Sequence, residues 1–330
     1  YRICISYNQI LRRTKSTYKT LLKLANFKYN NNGENTFSWG IIIDGNSVVD
    51  LKDYYSDFKH ISNISDFLCL YEKDEIKWNK CNKIPIKEVS FLSPIKKPTS
   101  LRDAYAFRQH VEAGRKSRGL EMIPEYDKFP VFYYGNHNAI TGPGKVEIQK
   151  DQAVKLDYEL EIAAVIGKTG KNISIDKADD YIIGYTIMND LSARALQKEE
   201  MKLSLGPAKG KDFLTTLGPY VATKDELKDK LIQGSDGDRY DLNMRAYLNG
   251  KLLSQDNFKN ITWTFAQIIS RISNGTTIYP GDVIGSGTCA TGCLLELNQT
   301  NNTDVWLQDG DEIKLEIDKL GSLVNSIKFI

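Results

Sequence analysis

The chain has 330 residues, 41% of them apolar and 26% charged, with a formal net charge of +2. That is the composition of a globular protein with a sizeable core, and it excludes a disordered or fibrous chain. No strong field draws it to nucleic acid, no Lys/Arg-interleaved aromatic ladder offers a nucleic-acid platform, and no apolar run reaches the roughly 20 residues of a membrane-spanning helix.

Residues 1–33 hold seven Lys/Arg and no acid. Residues 1–20 are read as a basic extension, either transit-like or a segment foreign to the mature protein, with the first strand beginning near Leu21 in "LLKLANFKYN". Residues 21–98 read as a small β domain. In "FSWGIIIDGNSVVDL" two β-rich runs flank Asp44-Gly45-Asn46, a hairpin turn signal. "DYYSDFKHISNISDFLCLYEKDEI" is more helical, and "SFLSPIKKPTS" is the connector. Residues 99–330 form the main domain. A helix is expected from Ser100 through "LRDAYAFRQHVEAGRKSR" to Gly119. Strands are expected near 131–134, 156–167, 181–188, 219–222, 240–248, 282–287, 293–297 and 312–317, and helices over 192–201 and 263–273. The whole is mainly β with peripheral helices.

Five scattered cysteines argue for reduced thiols in a cytoplasmic setting, or a mitochondrial one if the basic segment is a transit peptide. Cys289 and Cys293 stand four apart, but a zinc site would want a second Cys/His pair, so ordinary small side chains are expected there.

Chemistry concentrates in the acids. Glu159 and Glu161 open the apolar run of "LDYELEIAAVIG" with one residue between them, which puts them on one face of a strand. Like charges so close need something positive between them. Asp190 ends another apolar run, and Asp103 lies in the first turn of the expected helix. Four carboxylates at the ends of adjacent elements would make an oxygen-lined site for Mg²⁺ or Ca²⁺, with Mn²⁺ also admissible. Each acid has a plainer role open to it. Ser100-x-x-Asp103 matches a capping box, Asp190 could cap the next helix, and the two glutamates could lie exposed near Lys155. His110, seven residues after Asp103, would share a helix face with it and is a candidate general base. "GPAKGKDF" lacks the spacing of a phosphate loop.

Together, "DAYAFRQH", "FPVFYYGN", "LDYELEIA", "MNDLSARALQ", "LGPAKGKDF", "GSGTCATGCLLEL" and "LQDGDEI", in this order, resemble the fumarylacetoacetate hydrolase family from about residue 21 to the end. The resemblance implies a small N-terminal β domain, a C-terminal mixed β-sandwich roll and a homodimer. It implies Asp103, Glu159, Glu161 and Asp190 as metal ligands, with Lys211 and Thr215 in the metal environment. His110 matches the general base and Glu296 the acid that orients it; Lys211 and Gln197 would hydrogen-bond the developing oxyanion. Tyr105, Tyr133, Gln197, Thr288 and Arg118 match substrate contacts, and Met201 stands where a substrate-contacting Tyr is usual. The implied activity is hydrolysis of a carbon–carbon bond in a small diketo acid, in the branch that turns fumarylacetoacetate into fumarate and acetoacetate. Acylpyruvate hydrolysis, oxaloacetate decarboxylation and a non-catalytic, metal-stabilised binding protein are the alternatives.

Overall fold

The computed structural model describes residues 23–43, 45–52, 82–116 and 118–330. The basic extension expected over 1–20 and the helical reading of 53–76 lie outside them. The fold is mainly β with peripheral helices: a long mixed sheet of 12 strands, a second sheet of five, and short two-stranded pairs. Three hydrophobic clusters fill the space around the sheets.

The strand Leu160–Ile166 lies near the middle of the long sheet, and all seven of its residues are buried. An unbroken apolar run suits a strand covered on both faces. It pairs antiparallel with Ile182–Asp190 on one side and with Val283–Gly285 on the other. Val283–Gly285 runs parallel to Leu101–Ala104, which pairs in turn with Phe132–Gly135. Beyond Ile182–Asp190 comes Thr215–Thr223, and then the N-terminal strands Lys23–Asn31, Glu34–Ile43 and Ser47–Asp50. The hairpin expected in "FSWGIIIDGNSVVDL" is present, with Ile43 opposite Ser47. Because Lys23–Asn31 hydrogen-bonds to Thr215–Thr223, strands from before and after the connector share one sheet.

Two expected elements differ. "SLRDAYAFRQHVEAGRKSRG" is not one helix. Leu101–Ala104 is a buried strand and the helix spans Arg108–Lys116. Local helix propensity is a weak prior, and pairing with Val283–Gly285, about 180 residues away, overrides it. Ser100 therefore caps nothing: its hydroxyl donates to Asp282. The 293–297 segment, expected as a strand, enters the helix Leu294–Asn301. Its first N–H groups, on Leu294 and Leu295, donate to the Asp157 carboxylate at 2.7 and 3.0 Å. A carboxylate at a helix N-terminus satisfies otherwise orphaned donors and complements the dipole. The expected helices near 192–201 and 263–273 appear as Arg194–Glu200 and Phe265–Ser273, the second closed by a capping box on Thr264 and Gln267.

Candidate active site

Register puts the acids on one face of the sheet. Residues directly opposite on neighbouring strands point the same way, and residues two apart on a strand share a face. Ala163 faces Gly285, and Gly285 faces Asp103, so Glu161, two before Ala163, lies on the same side as Asp103. Glu161 also faces Met188, so Asp190, two further on, joins them. Tyr133 opposite Asp103 and Thr215 opposite Asp190 extend the same face. Asp103, Glu161 and Asp190 offer carboxylate oxygens that all lie within 4.8 Å of one another, and all three residues are buried. Gly285 sits beneath them: a Cβ there would come within 2.4 Å of Asp103 Oδ1 and 2.8 Å of Glu161 Oε2.

Glu159 stands just before the strand and takes no part in that cluster of three. Its Oε1 accepts from Arg194 Nη2 at 2.7 Å, and its Oε2 accepts from Lys211 Nζ. Lys211 Nζ also donates to Asp190 Oδ2 at 2.6 Å. Lys211 and Arg194 thus supply the positive charge beside Glu159, whereas Glu161 has no cationic side chain against it among the described residues. Arg194 further donates to Asp157 at 2.8 Å and to the Gln197 carbonyl at 3.0 Å. Tyr133 donates to Asp190 Oδ2 at 2.5 Å, and Thr215 to Asp190 Oδ1 at 3.3 Å. The Gly287 N–H is shared between Asp103 and Glu161, at 3.0 and 3.1 Å.

The electrostatics divide the acids. Burial, and then the Asp190 charge, push Asp103 up to about 7. Burial, then Asp103 and Asp190, hold Glu161 well above the usual carboxylate range. Burial also raises Asp190, against the pull of Lys211. Burial would raise Glu159 as well, but Lys211, Arg194 and His110 outweigh it and leave Glu159 well below its ordinary value. Burial pulls Lys211 and Arg194 down, but the carboxylates around them, Asp190 and Glu159 for Lys211 and Glu159 and Asp157 for Arg194, outweigh it and hold both above their ordinary values. A divalent cation fits the cluster of three. The donors are all hard oxygens, Glu161 Oε1 is buried without a partner, and the three charges repel in the absence of a cation.

His110 comes from the helix Arg108–Lys116, not from a helix carrying Asp103, so the shared-face reasoning does not hold. The ring is nevertheless brought to the site. Nδ1 lies 3.2 Å from Glu296 Oε2 and Nε2 lies 4.0 Å from Glu159 Oε1. Glu296 is held from its other oxygen by the Gln109 amide at 3.2 Å. The Tyr105 ring packs edge-on against the imidazole, with centroids 5.7 Å apart. Thr288 is buried directly after Gly287. Arg118 is exposed at the rim; its Nε donates to the Gly114 carbonyl at 3.1 Å, and its Nη1 lies 4.0 Å from the Met201 sulfur.

The sequence reading overlooked Arg194 and Asp157. The signal was available: Arg194 is three residues before Gln197 on one helix face, and Asp157 is two before Glu159. The "GPAKGKDF" loop is not free to take a phosphate. The N–H groups of Ala208, Lys209 and Gly210 already donate to Glu200, which secures the loop carrying Lys211.

Residues 99–328 match the family model described as fumarylacetoacetate (FAA) hydrolase C-terminal. The fumarylacetoacetate hydrolase domain-containing protein 2 homolog of Dictyostelium discoideum is 31% identical over 321 residues, covering 93% of this chain and 98% of that protein. Oxaloacetate tautomerase YisK of Bacillus subtilis is 28% identical over 309 residues, covering 87% and 95%. The crystal structure of maleylpyruvate hydrolase from Sphingobium sp. SYK-6, in complex with manganese (II) ion and pyruvate, has the same fold, with a TM-score of 0.67 at 21% identity, covering 93% and 99%.

Proposed function

We propose a reaction from the premise that this chain belongs to the fumarylacetoacetate hydrolase family, as the match over residues 99–328 and the 31% identity to the Dictyostelium protein establish. The reaction is hydrolysis of the carbon–carbon bond of a 1,3-diketo acid, with fumarylacetoacetate the leading substrate. The observation that supports it best is the buried His110–Glu296 pair, whose free ring nitrogen points toward the acids. Every residue invoked lies within 99–330, which we assign as the catalytic domain.

Asp103, Glu161 and Asp190 would hold a divalent cation, with Glu159 as the fourth acid. Mg²⁺, Ca²⁺ and Mn²⁺ all suit such oxygen donors, and the related maleylpyruvate hydrolase structure contains manganese. When bound, such a cation polarises the substrate carbonyl and offsets negative charge on the departing enolate. The protein's own groups do the rest. Glu296 fixes the Nδ1–H tautomer of His110 and stabilises its positive form. Nε2 then accepts a proton from water as the water oxygen bonds to the carbonyl carbon. The carbon–carbon bond breaks, its electron pair passes to the leaving enolate, and that carbon takes the proton back from His110. Lys211 uses two of its three N–H donors on Glu159 and Asp190; the third, with the Gln197 amide, stabilises the developing oxyanion. Tyr105, Tyr133 and Thr288 line the substrate, and Arg118 holds its distal carboxylate at the rim. The free thiols Cys289 and Cys293 suit a reducing compartment, cytoplasmic or mitochondrial, and the family resemblance favours a homodimer.

A second reading is keto–enol tautomerisation of oxaloacetate. It is favoured by the match to oxaloacetate tautomerase over 95% of that protein's length. The same His110 would carry a proton between carbon and oxygen, with no water consumed. Fumarylacetoacetate, acylpyruvates and oxaloacetate assayed side by side at saturating Mg²⁺ test the assignment. The highest kcat/KM for oxaloacetate, with no cleavage product, would replace hydrolysis by tautomerisation.

A further inference from the structure

Beside the cluster of hard carboxylates lies a second convergence of ligand atoms, on the far side of His110. His110, Cys293 and Glu296 each present one donor, all within 4.8 Å of one another, and all three side chains are buried. The sequence alone dismisses Cys293, because no second Cys or His lies near it. The fold supplies the histidine from 183 residues away. Cys293 is the residue before the helix Leu294–Asn301 and Glu296 lies in its first turn, three residues on, so both project toward the helix that carries His110.

We propose that His110 Nδ1, Cys293 Sγ and Glu296 form an inhibitory site for a thiophilic divalent cation such as Zn²⁺, separate from the hard-cation site at Asp103, Glu161 and Asp190. Three observations carry it. The donor set is N, S and O, which suits Zn²⁺ and disfavours Mg²⁺ or Ca²⁺, whereas the other cluster offers oxygen alone. The edges fit a tetrahedron. Metal–ligand distances of about 2.3 Å to sulfur and about 2.0–2.1 Å to nitrogen or oxygen imply an S–N edge of about 3.6 Å and an N–O edge of about 3.3 Å. The structure has 3.9 Å from Cys293 Sγ to His110 Nδ1 and 3.2 Å from that nitrogen to Glu296 Oε2. Finally, three protein ligands leave a fourth position for water, and Glu159 with its bound Lys211 and Arg194 stands between the two clusters.

The consequence rests on the reading of His110 as base. A cation on Nδ1 displaces the hydrogen bond that His110 donates to Glu296 and moves the ring proton to Nε2, the nitrogen that faces Glu159. The ring then has no lone pair with which to take a proton from water. Binding releases the thiol proton to solvent, and nothing is oxidised or reduced.

Cobalt(II), a spectroscopic stand-in for zinc, tests the site directly on the full-length protein with Mg²⁺ saturating. The wild type is expected to show a thiolate-to-cobalt charge-transfer band that zinc displaces. Asp103→Asn, which damages only the oxygen cluster, should keep the band. Cys293→Ser, and Cys293→Ala in case the first variant folds poorly, should lose it, with zinc affinity falling by more than the ~10–100-fold cost of losing an outer-shell partner. Circular dichroism verifies the fold of each variant. No band in the wild type, or a band that survives Cys293→Ser, overturns the site. Turnover is read separately: zinc should inhibit the wild type at saturating Mg²⁺ and spare Cys293→Ser. A band accompanied by undiminished turnover overturns the inhibitory role and, with it, His110 as the base, without touching the site itself.

Discussion

Gly285→Ala adds one methyl group at the floor of the acid cluster. The new carbon would sit 2.4 Å from Asp103 Oδ1, 2.8 Å from Glu161 Oε2 and 2.3 Å from the Met188 terminal methyl. Carbon–oxygen contacts settle near 3.3 Å or beyond, so Asp103 must retreat by about 0.9 Å and Glu161 by about 0.5 Å. Met188 is flexible and can swing away; the carboxylates are held by the Gly287 N–H and by burial and cannot do so freely. Metal sites tolerate about 0.2 Å of error in ligand distance, and misplacing reacting groups by about 1 Å costs roughly 10²-fold. Divalent-cation affinity should fall at least about tenfold, kcat/KM by roughly 10², and stability by the ~1–3 kcal/mol typical of overpacking. Calorimetric titration with Mn²⁺, steady-state kinetics and thermal melts measure the three. Cation affinity and kcat/KM within a factor of two of wild type would refute the placement of the cation over Gly285.

His110→Gln should lower kcat by 10²–10⁴-fold and leave cation affinity unchanged, because the ring touches none of the three clustered acids; an unchanged kcat means another group activates water. Lys211→Met leaves Asp190 buried without its cation and Glu159 with Arg194 alone, and should cost about 3–5 kcal/mol in metal-free protein, as removing one partner of a buried pair does, with part regained in excess Mg²⁺; a melt unaffected by the substitution contradicts the ion pairing. Burial raises the folded-state pKa of Asp179, chiefly by desolvation, above its ordinary 3.8. The folded state therefore holds this proton more tightly, so Asp179's contribution to stability is fully present below about pH 4 and is lost as pH rises through the raised folded-state value. Asp179→Asn should flatten that slope and raise Tm at pH 7 relative to wild type; an unchanged pH–Tm profile excludes the contribution. Arg118→Ala should raise KM more for dicarboxylate than for monocarboxylate diketo acids, and equal effects would place the distal carboxylate elsewhere.

The parts of the molecule that were readable in the sequence are those whose environment is continuous along the chain. Leu160–Ile166 is apolar at every position because it is covered on both faces, and that run is visible without neighbours. Asp103 joins the acids from a strand, not from the first turn of a helix. "LRDAYAFRQH" can be read locally as one helix, and only its pairing with Val283–Gly285 makes Leu101–Ala104 a strand. The spacing from Asp103 to His110 therefore carried no information, while the family's motif did. "CLLEL" looks like a strand because it is a short, mostly apolar run, which periodicity alone cannot tell from a buried helix; the Asp157 carboxylate at its N-terminus, far away in sequence, caps it as a helix. Arg194 stood within a motif already quoted, but its importance comes from two buried acids that only the fold brings to it.

The central claim is that His110 and the acid cluster cleave a carbon–carbon bond with water. Turnover of fumarylacetoacetate in ¹⁸O-labelled water with Mg²⁺ tests it most directly, by mass spectrometry of the products. Hydrolysis predicts solvent ¹⁸O in the newly formed carboxylate, at a rate that collapses in His110→Gln. Consumption of the substrate with no ¹⁸O in a new carboxylate and the carbon skeleton intact would contradict hydrolysis.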